Sequence, residues 1–349
     1  MWNKIILITI LIILIIAIII LWKKDREFSR EKLRKKKVMI IESEVKKRPK
    51  PSIKPTYERD SSSSSDSRFE VKANRNKVKG IKLPKEFFAV REWPNMISGV
   101  FDQASCGSCG CMACAGVLTD RFRIKSKGRF LNNNDYISPF HLAACIKCGK
   151  DGICSKVCEG NYLDDVMQFL VDHGTAAQSD IEKYYEKAES RDGRNPEEYA
   201  CFDYKKAGIK PYKGTEKYRV NIYPPSMLES KSRLEENMTA IMEEVYEHGP
   251  VACIIKVYVP LDSRNFYNHK AGVYGHGWKS EPSQTDGYHA INIVGWGEEI
   301  INGKLVKYWI VRNSWGPDWG TNGYAKILRG ENFAMIEADI WSIRPQLDR

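Results

Sequence analysis

No charged side chain interrupts residues 5–22, "IILITILIILIIAIIILW", and the stretch holds one hydroxyl, Thr9. That absence excludes a solvated helix. At a rise of about 1.5 Å per residue the run is just long enough to cross a thin hydrocarbon core. No small-x-small cleavage site follows, and the run exceeds the usual apolar region of a secretory signal, which argues against a cleaved leader. Lys23, Lys24 and Arg26 follow instead, as behind an uncleaved anchor. There is no internal repeat. Nor is the net charge of +11 spread evenly: residues 23–60 carry fifteen Lys/Arg against seven Asp/Glu, and the rest is nearly balanced. The basic character belongs to one segment, which argues against a folded body that reads nucleic acid.

What is present divides the chain into three parts. Residues 1–22 read as a transmembrane anchor. Residues 23–80 read as a basic stem and linker: "KKDREFSREKLRKKK" is a charged juxtamembrane helix able to hold an anionic leaflet. "KRPKPSIKP" is extended, and "DSSSSSDS" is a flexible polar run. Residues 81–349 read as the folded body. Only Lys4 and the α-amine precede the apolar run, whereas nine Lys/Arg occupy 23–37, so the positive-inside rule places the body on the cytosolic side.

Within the body, helical patterns come first. Met112, Val117 and Leu118 recur on one side of the segment after Cys109, with Asp120 and Arg121 on another. "ISPFHLAAC" offers Ser138 as N-cap and Pro139 in the first turn, and "LDDVMQFLVDHG" is amphipathic and stops at Gly174. Later segments ("PVACIIKVYV", "YHAINIVGWG", "VKYWIVRNSW", "GYAKILRG") are short, β-branched and aromatic. Helices first and strands later predict an α+β body with two lobes.

Four of the ten cysteines crowd into "DQASCGSCGCMACAG", residues 102–116. A lone cysteine means little, because free Cys is commonly a small buried hydrophobe. Here Gln103 lies six residues before Cys109, His289 sits in "YHAINIV", and Asn313 sits in "RNSWG". An imidazole can take the thiol proton. An amide can orient that ring through its other nitrogen. A Gln side chain and a backbone N–H at a helix head can donate to an oxyanion, and the helix N-terminus favours thiolate at Cys109.

These residues carry a resemblance. "QASCGSC", "GYHAINIVGWG" and "YWIVRNSWGPDWGTNGYAKILRG" resemble the papain family of cysteine peptidases over about 83–349, as a mosaic of stretches similar to cathepsin B and to cathepsin X. The odd N-terminus points to membrane-tethered, cathepsin-like enzymes of large DNA viruses as a home. The resemblance implies a papain-like fold, with a helical left lobe and a β-barrel-like right lobe, and peptide-bond hydrolysis of protein or peptide substrates without a cofactor or metal. By it Cys109 is the nucleophile, His289 the base and acid, Asn313 the orienting amide and Gln103 the oxyanion donor. Gly107, Gly160, Asn161, Asp339 and Trp315 bind substrate or shield the His–Asn bond. "MIEADIW" is similar to the cathepsin B segment at the floor of the S2 pocket, where Asp339 would accept a basic P2 side chain. Cys106 would pair with Cys158 and Cys145 with Cys201, while Cys148 and Cys154 could close a small loop. Cys111, Cys114 and Cys253 are left as buried thiols. The rival for "CIKCGKDGICSKVC" is zinc held by Cys145, Cys148, Cys154 and Cys158. Disulfides rarely persist in the cytosol, so the cysteines favour a lumenal or extracellular side and disagree with the flanking charge.

Three departures from the family pattern stand out. Gly110 replaces the usual Trp, which would open the floor of the site. Asn161 replaces the second glycine of the substrate loop, as a residue that tolerates positive φ. The paired histidines of the cathepsin B occluding loop are missing; polar residues 186–240, with a sequon at Asn237-Met238-Thr239, stand there instead. That favours an endopeptidase with an open cleft, the alternative being a catalytically weak peptide-binding module on a membrane. His141, His173 and His248 on helix faces or ends, and His269 and His276 in a loop region, read as solvated or capping.

Overall fold

The computed structural model describes residues 82–131, 134–146, 157–187, 201–258 and 265–348. The apolar run, the stem and linker, Cys148 and Cys154 lie outside them. Among the described residues no helix is long and apolar enough to cross a membrane.

One lobe is largely helical. α1 (Cys109–Ser126) is buried on almost every side, Asp120, Arg121 and Arg123 included. This corrects the amphipathic reading of that segment, and the reason is pairing. Asp120 accepts from the Ser98 backbone N–H and hydroxyl at 2.6 and 2.7 Å and from Arg312 at 2.9 Å. Arg121 donates to Glu244 and the Tyr218 hydroxyl at 2.8 Å and to the Gly249 and Pro250 carbonyls at 3.0 Å. Charges can be interior here because each has a partner in hydrogen-bond geometry. α2 (Pro139–Ile146) starts where the Ser138 hydroxyl accepts the His141 N–H at 3.3 Å. α3 (Leu163–Asp172) buries Leu163, Val166, Met167 and Leu170, and the chain turns off at Gly174, whose φ is +72°. α4 (Gln178–Lys187) completes this lobe.

The second lobe is built on an eight-stranded sheet. Seven of its strands are β2 (Gly214–Arg219), β3 (Val251–Tyr258), β4 (Val273–Tyr274), β5 (Thr285–Ile301), β6 (Lys304–Arg312), β7 (Tyr324–Leu328) and β8 (Ile340–Pro345), in the spatial order β2-β8-β3-β5-β6-β7-β4. β1 (Phe87–Phe88) pairs with β5 off that path. β5 and β6 form a hairpin closed by Asn302-Gly303, both at positive φ (50° and 75°), the pairing that matches a right-twisted ladder. α5 (Lys231–His248) packs Ile241 and Val245 into the sheet core with Val251, Ile255, Trp296 and Trp309. A second core joins Leu118, Phe122, Leu142, Leu163 and Met167. Cys109, Ile254, Ala290 and Trp341 belong to that second core, so the head of α1 meets β3, β5 and β8 at the seam between the lobes.

Asn237 is no sugar acceptor. It is fully buried, its Oδ1 accepts the Ile222 and Tyr223 N–H groups at 2.9 Å, and its Nδ2 donates to the Tyr223 carbonyl at 3.1 Å.

Candidate active site

Cys109 is the first residue of α1, with Ser108 before it as N-cap. His289 lies on β5 and pairs in register with Ile255 of β3. Asn313 follows the last residue of β6. The Asn313 Oδ1 accepts the Ser314 N–H at 2.7 Å, which fixes that atom as oxygen. The same oxygen lies 2.7 Å from His289 Nε2, so Nε2 carries the proton of the neutral ring. His289 Nδ1 is then the basic nitrogen, and it is buried with no hydrogen-bond partner among the described residues. The Cys109 sulfur lies against the backbone N–H of Ala290, the residue next to His289.

Burial controls the electrostatics. It pushes the Cys109 thiol above its ordinary value, although the N–H groups of Ala290, Gly110 and Cys109 itself pull the other way. This opposes the helix-head expectation of a ready thiolate. Burial also pushes His289 down to about 4, with Asn313 pulling upward. Both shifts favour the neutral thiol and the neutral imidazole over their charged forms. The desolvation has a visible source: the Trp315 ring stacks on His289 at 4.6 Å and itself packs against Tyr267 at 5.1 Å, Phe266 at 5.5 Å and Trp319 at 5.5 Å.

Gln103 is tied to the same strand end. Its N–H donates to the Ser314 carbonyl at 2.9 Å and its Oε1 accepts the Ser314 hydroxyl at 2.6 Å. Its Nε2 donates to the Cys106 carbonyl at 2.8 Å, which leaves the second Nε2 hydrogen available. A disulfide joins Cys106 to Cys158 and the Gly107 N–H donates to the Cys158 carbonyl at 3.2 Å, fixing the loop that carries Gly160 and Asn161 against the head of α1. A second disulfide joins Cys145 to Cys201; Cys111, Cys114 and Cys253 are buried free thiols.

Two of the departures occupy one space. Gly160 takes positive φ (84°) and Asn161 does not, so tolerance of the left-handed region is not what Asn161 supplies. Its side chain is buried, with Nδ2 3.6 Å from the Cys111 sulfur. A Cβ at Gly110 would stand 3.0 Å from the Asn161 carbonyl oxygen and 3.5 Å from its Cβ. The tightest of these contacts is with the Asn161 backbone carbonyl, so the main chain of the substrate loop closes part of the floor that the glycine was expected to open. Gly110→Trp is expected to destabilise by about 1–3 kcal/mol through overpacking against that carbonyl. Chemical unfolding of the two proteins measures it, and a variant within about 0.5 kcal/mol of wild type would show that the loop gives way.

Asp339, read from the sequence as an acceptor for a basic P2 side chain, already has partners within the fold. Its Oδ1 is 2.8 Å from Arg219 of β2 and accepts the Trp341 indole N–H at 2.9 Å, and Arg219 lies over the Trp341 ring at 5.0 Å. The position itself is near the site: the Asp339 carbonyl accepts the Ile254 N–H at 3.3 Å, and Ile254 pairs with Ala290. At about 4.8 Å per strand, Asp339 is two strand spacings from Ala290. Arg219 went unnoticed in the sequence because its partner is distant in sequence. His141 was also misread: it is buried at 3.6 Å from the Cys145 sulfur, and the spacing of four residues was legible.

A model of the papain family of cysteine proteases matches residues 83–343. The chain is similar to human tubulointerstitial nephritis antigen, 30% identical over 73% of this chain and 51% of that protein. It is similar to a gut-specific cysteine proteinase of Caenorhabditis elegans (31%, covering 78% and 76%) and to cathepsin B-like cysteine proteinase 3 of the same organism (33%, covering 74% and 65%). The chain spans about half the length of the nephritis antigens it matches. Among solved structures it is similar to proCathepsin B S9 from Trypanosoma congolense, with a TM-score of 0.55, 25% identity and coverage of 84% and 83%. The fold is shared with procathepsin L2 from Tenebrio molitor at a TM-score of 0.53, 24% identity and coverage of 77% and 70%. The match runs from just before the strand that opens the α+β fold to the strand that closes it, and the chain belongs to the papain family of cysteine proteases.

Proposed function

We propose that this chain is a cysteine endopeptidase, tethered to a membrane by residues 5–22, that hydrolyses peptide bonds through a thioester on Cys109. One observation carries the reading: His289 donates its Nε2–H to Asn313, which leaves Nδ1 unpartnered on the strand whose next residue, Ala290, meets the Cys109 sulfur. Nδ1 takes the thiol proton as sulfur attacks the carbonyl carbon, then returns it to the leaving amine; water repeats the sequence on the thioester. The Cys109 N–H and the remaining Gln103 Nε2 hydrogen are the donors for the tetrahedral oxyanion. Substrates are peptides, and no cofactor, metal or nucleic acid enters the scheme.

A tethered peptide-holding module is the second reading, favoured by Gly110 beside the nucleophile. Labelling the full chain with a peptidyl electrophile separates the two. A single adduct at Cys109, formed much more slowly in His289→Ala, supports the peptidase. A folded chain labelled only at Cys111, Cys114 or Cys253 overturns it. Retention of the full chain in carbonate-washed membranes tests the tether.

Specificity follows from Arg219. The wild type is expected to show no preference for Arg over Phe at P2, because Asp339 is already paired. Arg219→Ala frees the carboxylate for a charge-assisted bond worth about 1.5–3 kcal/mol, raising the Arg/Phe ratio of kcat/KM roughly ten- to hundredfold. An unchanged ratio in Arg219→Ala would place Asp339 outside the pocket.

A further inference from the structure

A second chemical centre lies in the small core under α2, around Ala144, Ala176 and Ile181. His141 and Cys145 are four residues apart on α2 and so share a face. Cys201 is bonded to Cys145. The nitrogen of His141 and the two sulfurs lie within 4.8 Å of one another. We propose that these three side chains form a redox-gated zinc site: when the Cys145–Cys201 disulfide is reduced, both sulfurs and the imidazole bind one zinc ion.

The geometry fits the ion. Tetrahedral zinc, with bonds of about 2.3 Å to sulfur and 2.0–2.1 Å to nitrogen, holds sulfur and nitrogen about 3.6 Å apart. Each ring nitrogen of His141 is 3.6 Å from the Cys145 sulfur. On reduction the sulfurs need only part to about 3.8 Å, the tetrahedral S···S separation. The imidazole is already oriented: Nδ1 is 3.2 Å from the Thr175 hydroxyl and 3.1 Å from the Tyr204 hydroxyl, leaving Nε2 to the metal. A ligating histidine held through its other nitrogen is the usual outer arrangement. Two sulfurs and one imidazole suit zinc over harder cations, and the fourth position is left to water. The chemistry balances: a dithiol reductant gives two hydrogens to the protein disulfide and leaves as its own disulfide, and zinc then displaces the two thiol protons.

Cobalt(II) is the probe, added to the full chain before and after treatment with a dithiol. The oxidised chain is expected to show no sulfur-to-cobalt charge transfer. The reduced chain binds one cobalt per chain with tetrahedral visible bands, which zinc displaces. His141→Gln weakens binding at least about tenfold and Thr175→Val about 10–100-fold, whereas His141→Cys keeps the metal with stronger charge transfer. A reduced chain that loses its near-ultraviolet dichroism and regains it with zinc supports the site; one that zinc does not restore overturns it. Absence of cobalt bands after reduction also overturns it, as do bands unchanged in His141→Gln or abolished by Cys148→Ser/Cys154→Ser. The result is independent of peptidase activity.

Discussion

Cys109→Ser is expected to lower kcat/KM on a peptide by at least roughly four orders of magnitude, the scale seen when a nucleophile is removed from a catalytic set that acts as a unit. Unfolding should be unchanged, because the swap leaves the helix head and the 106–158 disulfide intact. The loss is specific in origin: among the four described free cysteines, only Cys109 sits at a helix head beside the strand of His289. Equal loss in Cys111→Ser, with none in Cys109→Ser, would sink the assignment. The pH dependence follows from His289, held at about 4 against an ordinary 6.5. Above that value Nδ1 is free to take the thiol proton; as the pH falls through about 4 it is occupied and activity is lost. An acid limb near 6.5 instead would contradict a buried neutral imidazole. The stability linkage has the same direction. Between about 6.5 and about 4 the unfolded chain binds a proton that folded His289 refuses, so stability falls on acidification by up to about 1.4 kcal/mol per pH unit.

How much of this was legible depended on how local each signal was. The strands were marked by their own β-branched and aromatic runs, and α2 by Ser138 and Pro139. Cys109, His289, Asn313 and Gln103 were legible because each sits in a short, chemically distinctive segment that the fold brings together. Burial of α1 was not legible. Asp120 and Arg121 read only as a different side from the apolar residues because their partners, Arg312 and Glu244, lie far along the chain. Arg219 was hidden from Asp339 in the same way, and no local pattern in "KYR" marks it. His141 was different: its spacing from Cys145 was on the page, but the histidine was read as a helix-face group. The exchange at Gly110 and Asn161 read as two separate changes until the contact between them joined them.

The last expected result concerns the network that holds Asn313 in place. Arg312, the residue before it, is fully enclosed. Its Nη1 donates to the Ser98 carbonyl and hydroxyl at 2.8 Å, and its Nη2 to Asp120 and the Asn292 amide oxygen at 2.9 Å. Asn292 in turn donates to the Ala113 carbonyl at 3.0 Å, closing a loop from β6 through β5 to α1. The network sets where β6 ends relative to the head of α1. Asp120→Asn keeps the shape but leaves a guanidinium without its counter-charge in the interior. Breaking one side of a buried pair costs about 3–5 kcal/mol. Arg312→Met with Asp120→Leu removes both charges and should recover much of that loss, because the cost lies in the orphaned charge rather than in the absent bond. Urea unfolding of the three proteins decides it. If Asp120→Asn stays within about 1 kcal/mol of wild type, the ion pair is not what binds α1 to the strand carrying Asn313. A double variant no more stable than Asp120→Asn would assign the loss to the Ser98 and Asn292 hydrogen bonds instead.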